Sequence, residues 1–119
     1  MNAQFENIII KAEENFTYVA LEVEKFSIAE MKSIKPELES LIRTVENDII
    51  LDFKQIQYID SSAMGLLFTT FNYVKTKNRS ITLASVAKPI LKVFQLTKFD
   101  KLLTIYPDLK AARAAYLSR

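Results

Sequence analysis

Hydrophobic and polar positions change their period several times along this chain, and each change marks an element. Ile8-Ile9-Ile10 is a short apolar run that predicts a strand over about residues 5–11. Glu13-Glu14-Asn15 is a polar turn. The stretch "FTYVALEVE" from Phe16 alternates imperfectly at Phe16, Tyr18, Ala20 and Val23 but is rich in β-formers, so it predicts a second strand. The connection is short enough to make the two a hairpin. From Ile28 the period becomes helical, with Ile28, Met31, Ile34, Leu38, Leu41, Ile42 and Val45 recurring at its spacing. Ser27-x-x-Glu30 in front of them is a capping-box signature. Pro36 falls inside the pattern. Either a helix over most of 28–45 is kinked there, or a turn precedes a helix that starts near Lys35.

After a turn at Glu46-Asn47-Asp48, the run Ile49-Ile50-Leu51-Asp52-Phe53 has no alternation and predicts a strand buried on both faces. Lys54-Gln55 turns the chain, and Ile56, Tyr58 and Ile59 lead to a corner at Asp60-Ser61-Ser62. A helix over about 62–75 follows, with Met64, Leu67, Phe68, Phe71 and Val74 on its core face. Asn78, in the loop 77–79, suits a positive φ. Beyond it the pattern gives a strand at 80–85, a helix at 88–96 that tolerates Pro89 in its first turn, a strand at 102–106 and a closing helix at 108–117. The closing helix turns Leu109, Ala112 and Tyr116 or Leu117 inward. The order ββαβαβαβα predicts an α/β fold: a mostly parallel sheet of about five strands with an antiparallel N-terminal edge, packed by about four helices. There is no internal repeat or linker, so 1–119 reads as a single domain.

Composition narrows the chemistry. The 119 residues include no histidine, no cysteine and a single glycine. Without histidine there is no Ser-His-Asp or Cys-His arrangement, and the commonest metal ligand is missing. One glycine cannot build a GxGxxG or GxxxxGK[ST] phosphate loop. The reading is therefore of a protein that is not an enzyme and has neither cofactor nor metal. A net charge of +2 makes no case for a nucleic-acid partner or a membrane surface. No apolar run is long enough for membrane insertion, and the first residues lack the form of a signal peptide. With no cysteines to oxidise, a cytoplasmic location is expected.

The sole glycine, Gly65, lies just after the corner, which reads Ile-Asp-Ser-Ser-Ala-Met-Gly-Leu-Leu. Asp60 and the two serines are what a helix N-cap looks like, and capping alone explains them well. The place also favours an anion, because the first amides of a helix are unpaired and its dipole is positive there. A phosphate on Ser61 would add about −1.5 to −2 charges where the backbone tolerates them. Gly65 is expected to permit close backbone approach as the helix packs.

The segment "IILDFKQIQYIDSSAMGLL" resembles the core of a STAS domain of the anti-sigma factor antagonist type, and "SITLASVAKPILKVFQLTKFDKLLTIYPDLKAA" extends the likeness, which covers nearly all of the chain from about Tyr18. The resemblance implies a bacterial transcription regulator that works by binding. In that family a partner kinase phosphorylates the first serine after the Asp, here Ser61, with Asp60, Ser62 and Gly65 supporting the switch. The implied partners are a serine kinase/anti-sigma factor of the histidine-kinase-like ATPase type, released by phosphorylation, and a PP2C-like phosphatase. Two departures stand out. Ala63 replaces the family's usual Gly, and Glu24-Lys25-Phe26-Ser27 replaces a Gly-Glu/Asp-Leu-Asp-like loop expected near the phosphosite. Phe26 and Ser27 of that loop are expected partner contacts. So are Leu66, Thr69 and Tyr73, which with Thr70 lie on the helix face opposite the Met64/Phe68 stripe. The family also implies an alternative: an unphosphorylated adaptor subunit of a transport or scaffold complex.

Other constellations carry less. Ser85-x-x-Lys88 has the form of a nucleophile motif but lacks its companions, and reads as a strand end and helix start. Lys75, Lys77 and Arg79 read as solvated loop charge, and Glu22, Glu24 and Asp52 have no ligand spacing. Phe68, Phe71 and Phe94 are expected in the core.

Overall fold

The computed structural model describes residues 5–117; residues 1–4 and 118–119, the ends of the expected domain, lie outside the described residues. The strands are β1 (Ile8–Ala12), β2 (Phe16–Leu21), β3 (Lys25–Phe26), β4 (Asp48–Asp52), β5 (Tyr58–Ile59), β6 (Ile81–Ala84) and β7 (Thr104–Tyr106). The helices are α1 (Ile28–Thr44), α2 (Ser61–Thr76), α3 (Lys88–Leu96) and α4 (Leu109–Leu117), with a 3₁₀ turn at Phe99–Lys101. A five-stranded sheet runs in the order β1-β2-β4-β6-β7. β1 pairs antiparallel with β2, Ile8 opposite Leu21, and the remaining pairs are parallel. This is the expected α/β architecture with its antiparallel N-terminal edge. The structure adds a separate parallel pair, β3 with β5, that no periodicity announced. The second strand accordingly ends at Leu21, short of the expected Glu24, and the chain leaves the main sheet to make this pair.

β4 shows why its sequence is apolar without alternation. Ile49 and Leu51 enter the large core under α1, α2 and α3, while Ile50 enters a smaller core with Phe16, Ala112 and Tyr116 beneath α4. The sheet is thus covered on both faces, and among the described residues α4 is the helix that serves the second, turning Tyr116 rather than Leu117 inward. Rings link the large core: Phe53 meets Phe26 and Phe94 edge-on at 6.4 and 6.2 Å, and Phe94 meets Phe99 at 5.4 Å. At the edge, the Glu37 carboxylate of α1 accepts the Glu6 and Asn7 amides and holds the chain entering β1.

α1 is one helix from Ile28 to Thr44 with Pro36 inside it. Pro36 removes the amide that would bond the Lys32 carbonyl, and both residues are on the exposed side of the helix, which bears the loss best. Arg79, expected as solvated charge, instead sends its guanidinium to the Val45 and Ile42 carbonyls at the other end of α1. Asn78 takes the expected positive φ. Ser85 and Lys98 take it too, so the left-handed positions are held by side-chain-bearing residues while the glycine sits in a helix.

The inward face of α2 differs from the expected stripe. Ala63, Leu66, Leu67, Thr70 and Val74 are buried; Met64 and Phe71 are half-buried, and Phe68 is 46% exposed. Thr70 hides its hydroxyl by donating it to the Leu66 carbonyl of its own helix at 2.7 Å. That disguise lets the helix turn a polar residue inward and an aromatic one outward.

Candidate functional site

The corner before α2 is built around one carboxylate. Asp60 Oδ1 accepts the Ser62 hydroxyl at 2.6 Å and the Ala63 amide at 3.1 Å, which caps α2. Its Oδ2 accepts the Ile28 amide at 2.8 Å and so caps α1 as well. The backbone reinforces the join: Gln57 and Tyr58 amides bond the Glu24 carbonyl, and the Asp60 amide bonds that of Phe26. The expected capping box at Ser27 does not form, because Ser27 makes no side-chain cap bond and is nearly buried at the end of β3. Asp60, distant in sequence, replaces it. The Ser62 hydroxyl and then the Ile28 amide hold the Asp60 carboxyl below its ordinary pKa, as charge-stabilising donors do.

Ser61 is exposed in the first turn of α2, and the carboxylate beside it is engaged with Ser62, not with it. The hydroxyl is therefore presented outward at a helix N-terminus. Apolar surface flanks the first turns of α2 on both sides. A groove of about 510 Å³ beside Ser61 is walled by Met64, Phe68, Val93, Phe99 and Leu102, with Lys98 at the left-handed turn after α3. A second groove of about 460 Å³ runs between α1 and α2, past Ile28, Met31, Lys35, Leu66 and Thr69. Ile28, Phe68 and Leu102 are exposed large apolar residues in these walls. Gly65 lines both grooves, so the start of α2 is a low ridge between them. A Cβ added at Gly65 would meet nothing within 4 Å. The expected close approach inside the domain is thus not what this glycine serves.

The structure brings most of the expected site residues together and withdraws some. Asp60, Ser61, Ser62 and Gly65 share one corner, and Phe26 and Ser27 lie beside it through the β3–β5 pair, as the resemblance implied for their loop. Phe26, however, is fully buried, which leaves it a core residue rather than a contact, and Leu66, nearly buried, reaches the surface only as lining of the second groove. Ser27 presents little surface for the same reason. Thr69 is exposed, with its hydroxyl turned to the Gly65 carbonyl at 2.9 Å. Tyr73 is half-buried under Lys77, whose ammonium stands 5.7 Å from the ring centre. Lys98 is exposed, as its reading as solvated loop charge implies. Ile28 and Phe68 are not marked as surface by the pattern, since an apolar residue at helical spacing looks the same on either side of a helix, and Leu102, expected to open the last strand, lies before it and is exposed. Asp52, weighed with Glu22 and Glu24 as a ligand, accepts the Tyr18 hydroxyl at 2.6 Å and the Lys54 amide at 2.9 Å. Among the described residues no cluster of carboxylates could hold a metal ion, and no helix is long and apolar enough to cross a membrane.

Comparison with known proteins identifies the family and the fold. The STAS domain family profile matches residues 7–112. The chain is 24% identical over 103 residues to the anti-sigma-B factor antagonist of Bacillus subtilis (strain 168), covering 83% of this chain and 89% of that protein. An anti-sigma-factor antagonist (STAS) domain protein from Planctomyces limnophilus superposes with a TM-score of 0.85 at 18% identity, over 92% of this chain and 97% of that one. The Bacillus cell fate determinant SpoIIAA in its phosphorylated form superposes with a TM-score of 0.66 at 16% identity, over 91% and 98% of the two chains.

Proposed function

The chain belongs to the STAS domain family, and on that premise we propose that it is an anti-sigma factor antagonist: a binding protein, without catalysis of its own, switched by phosphorylation of Ser61. The unphosphorylated form binds a serine kinase/anti-sigma factor of the histidine-kinase-like ATPase type in the cytoplasm, and a PP2C-like phosphatase restores it. One observation carries the reading. Ser61 is exposed on a ridge between apolar grooves, while the neighbouring carboxylate is saturated by its own chain. A partner that docks here must cover Ser61, Gly65, Phe68 and Thr69 together. A phosphate on Ser61 is compatible with the amides and dipole of α2, so the fold survives it. The partner's apolar contact does not survive it, because the dianion resists desolvation and stands beside the ionised Asp60.

Peptide mass spectrometry of the protein from its own cells, with and without stress, tests the switch. Phosphate on Ser61 whose occupancy changes supports it. Full coverage of the Ser61 peptide with no phosphate under any condition favours the adaptor alternative. In a binding assay with the cognate kinase, Ser61→Asp is expected to lose binding with an unchanged circular dichroism spectrum. Equal binding by the two proteins overturns the proposal.

A further inference from the structure

The outer edge of the sheet points to a use that the Ser61 corner does not explain. β1 is an edge strand with β2 on one side only. The direction of each backbone group on β1 follows from two bonds. The Glu22 amide donates to the Asn7 carbonyl, and the Glu13 amide donates to the Phe16 carbonyl. In an antiparallel pair such residues alternate, so Ile9 and Lys11, like the Asn7 carbonyl and the Glu13 amide, face β2 with their hydrogen-bonding groups. Ile8, Ile10 and Ala12 therefore aim both amide and carbonyl away from the domain. No strand among the described residues takes them. This edge also lacks the usual protection: it has no proline, and Lys11 is its one charge. Ile9 is 50% exposed on one face and Ile10 37% on the other.

We propose that β1 pairs antiparallel with β1 of a second copy of this chain, about a two-fold axis at Ile10, joining the two sheets into one. The sequence selects both the occupant and the register. Only registers that match outward-facing residues with each other can form the ladder. Centred on Ile10, the whole strand is used: Ile10 meets Ile10, Ile8 meets Ala12, and Lys11 lies opposite Ile9, where its stem covers that side chain. Moving the axis one residue toward the C-terminus sets Lys11 against Lys11, a like-charge pair. Moving it the other way puts Ala12 opposite Glu6 and leaves part of the strand unpaired with itself. In the Ile10 register the apolar strand is thus its own complement, with no like charges opposed within it. A five-residue ladder covers less than the roughly 800 Å² per partner of a standard interface, so the dimer is weak and concentration-dependent. The Ser61 corner stays free.

The full-length chain tests this by sedimentation velocity over a range of concentrations. The expected result is a shift from one to two chain masses as concentration rises. Ile10→Pro removes an amide that points outward and so costs the monomer no internal bond; it is expected to abolish the shift, as is Ile10→Lys, with folding checked by circular dichroism. Because the chain has no cysteine, Ile10→Cys gives a direct readout. Hydrogen-bonded pairs hold their Cα atoms about 5.5 Å apart, within disulfide reach. Covalent dimers should form on oxidation, and a control Lys92→Cys on the exposed side of α3 should form far fewer. A wild type that stays monomeric at every concentration overturns the proposal, even if the edge takes up an extended peptide of another protein. So does a dimer that persists in both Ile10→Pro and Ile10→Lys.

Discussion

A cap for α2 within Asp60-Ser61-Ser62 is legible in the sequence; that Asp60 is the residue that caps, and that it serves a second helix, is not. The bond to the Ile28 amide spans two elements that local pattern treats separately, and Ser27-x-x-Glu30 offered a nearer and wrong cap. Asp60→Asn tests the double role. An amide keeps one acceptor oxygen and turns an NH₂ donor toward one of the two backbone amides, so one helix start loses its partner. The variant should unfold at lower urea concentration. The pH dependence has a definite sign. The Asp60 carboxyl is held below its ordinary value, so its contribution is complete above the unfolded-state pKa of about 3.9 and is lost as pH falls through the folded value. The difference between wild type and Asp60→Asn should shrink over that acid window, which parallel urea titrations would detect. Gly65 offers the opposite case. Its Cβ position is open and its φ is not left-handed, so Gly65→Ala should stabilise the protein by about 0.5–1 kcal/mol in chemical denaturation. If the ridge is the docking surface, the same change should weaken kinase binding. A more stable variant with undiminished binding would remove Gly65 from the interface.

Among the elements, α2 shows the limit of reading by periodicity. The 3.6-residue period was visible, but its phase was not, because Thr70 is polar in sequence and apolar in effect once its hydroxyl bonds the Leu66 carbonyl. The expected stripe treated Leu67 and Phe68 as equivalent. In the structure Leu67 is 4% exposed and Phe68 46%, touching Phe99 across 6.4 Å between ring centres. Leu67→Ala should therefore cost about 2–5 kcal/mol, as large-to-small core changes do. Phe68→Ser should cost about 1 kcal/mol or less, closer to a surface change, and its effect should appear in partner binding. Denaturation midpoints for the pair decide whether the helix is phased as described. The same reasoning explains why β3 and β5 escaped notice. Two residues are too few for any period, and the pair is held mainly by backbone bonds to Glu24 and Phe26.

For the molecule as a whole, sheet class and strand direction could be read from the alternation of apolar runs and helical stretches. The sidedness of α4 could not, since Leu109, Ala112 and Tyr116 define an apolar face without saying which side of the sheet it covers. That side carries the Tyr18–Asp52 bond, placed by the parallel β2–β4 pairing that sets Ala20 opposite Asp52. Burial first, then the hydrogen bond to Asp52 and its charge, pushes the Tyr18 phenol above the ordinary tyrosine value of about 10. A folded-state pKa raised in this way gives a contribution that is complete below the unfolded value and is lost as pH rises above it. The native protein should accordingly lose stability above about pH 10, beyond what Tyr18→Phe loses over the same range. At neutral pH the substitution leaves the buried Asp52 carboxylate short of one donor and should cost about 1–3 kcal/mol. An ultraviolet titration of tyrosinate checks the assignment directly. The component that ionises above the ordinary range should disappear in Tyr18→Phe. Its persistence would mean that another tyrosine holds the high value and that the Tyr18–Asp52 bond does not stand in solution.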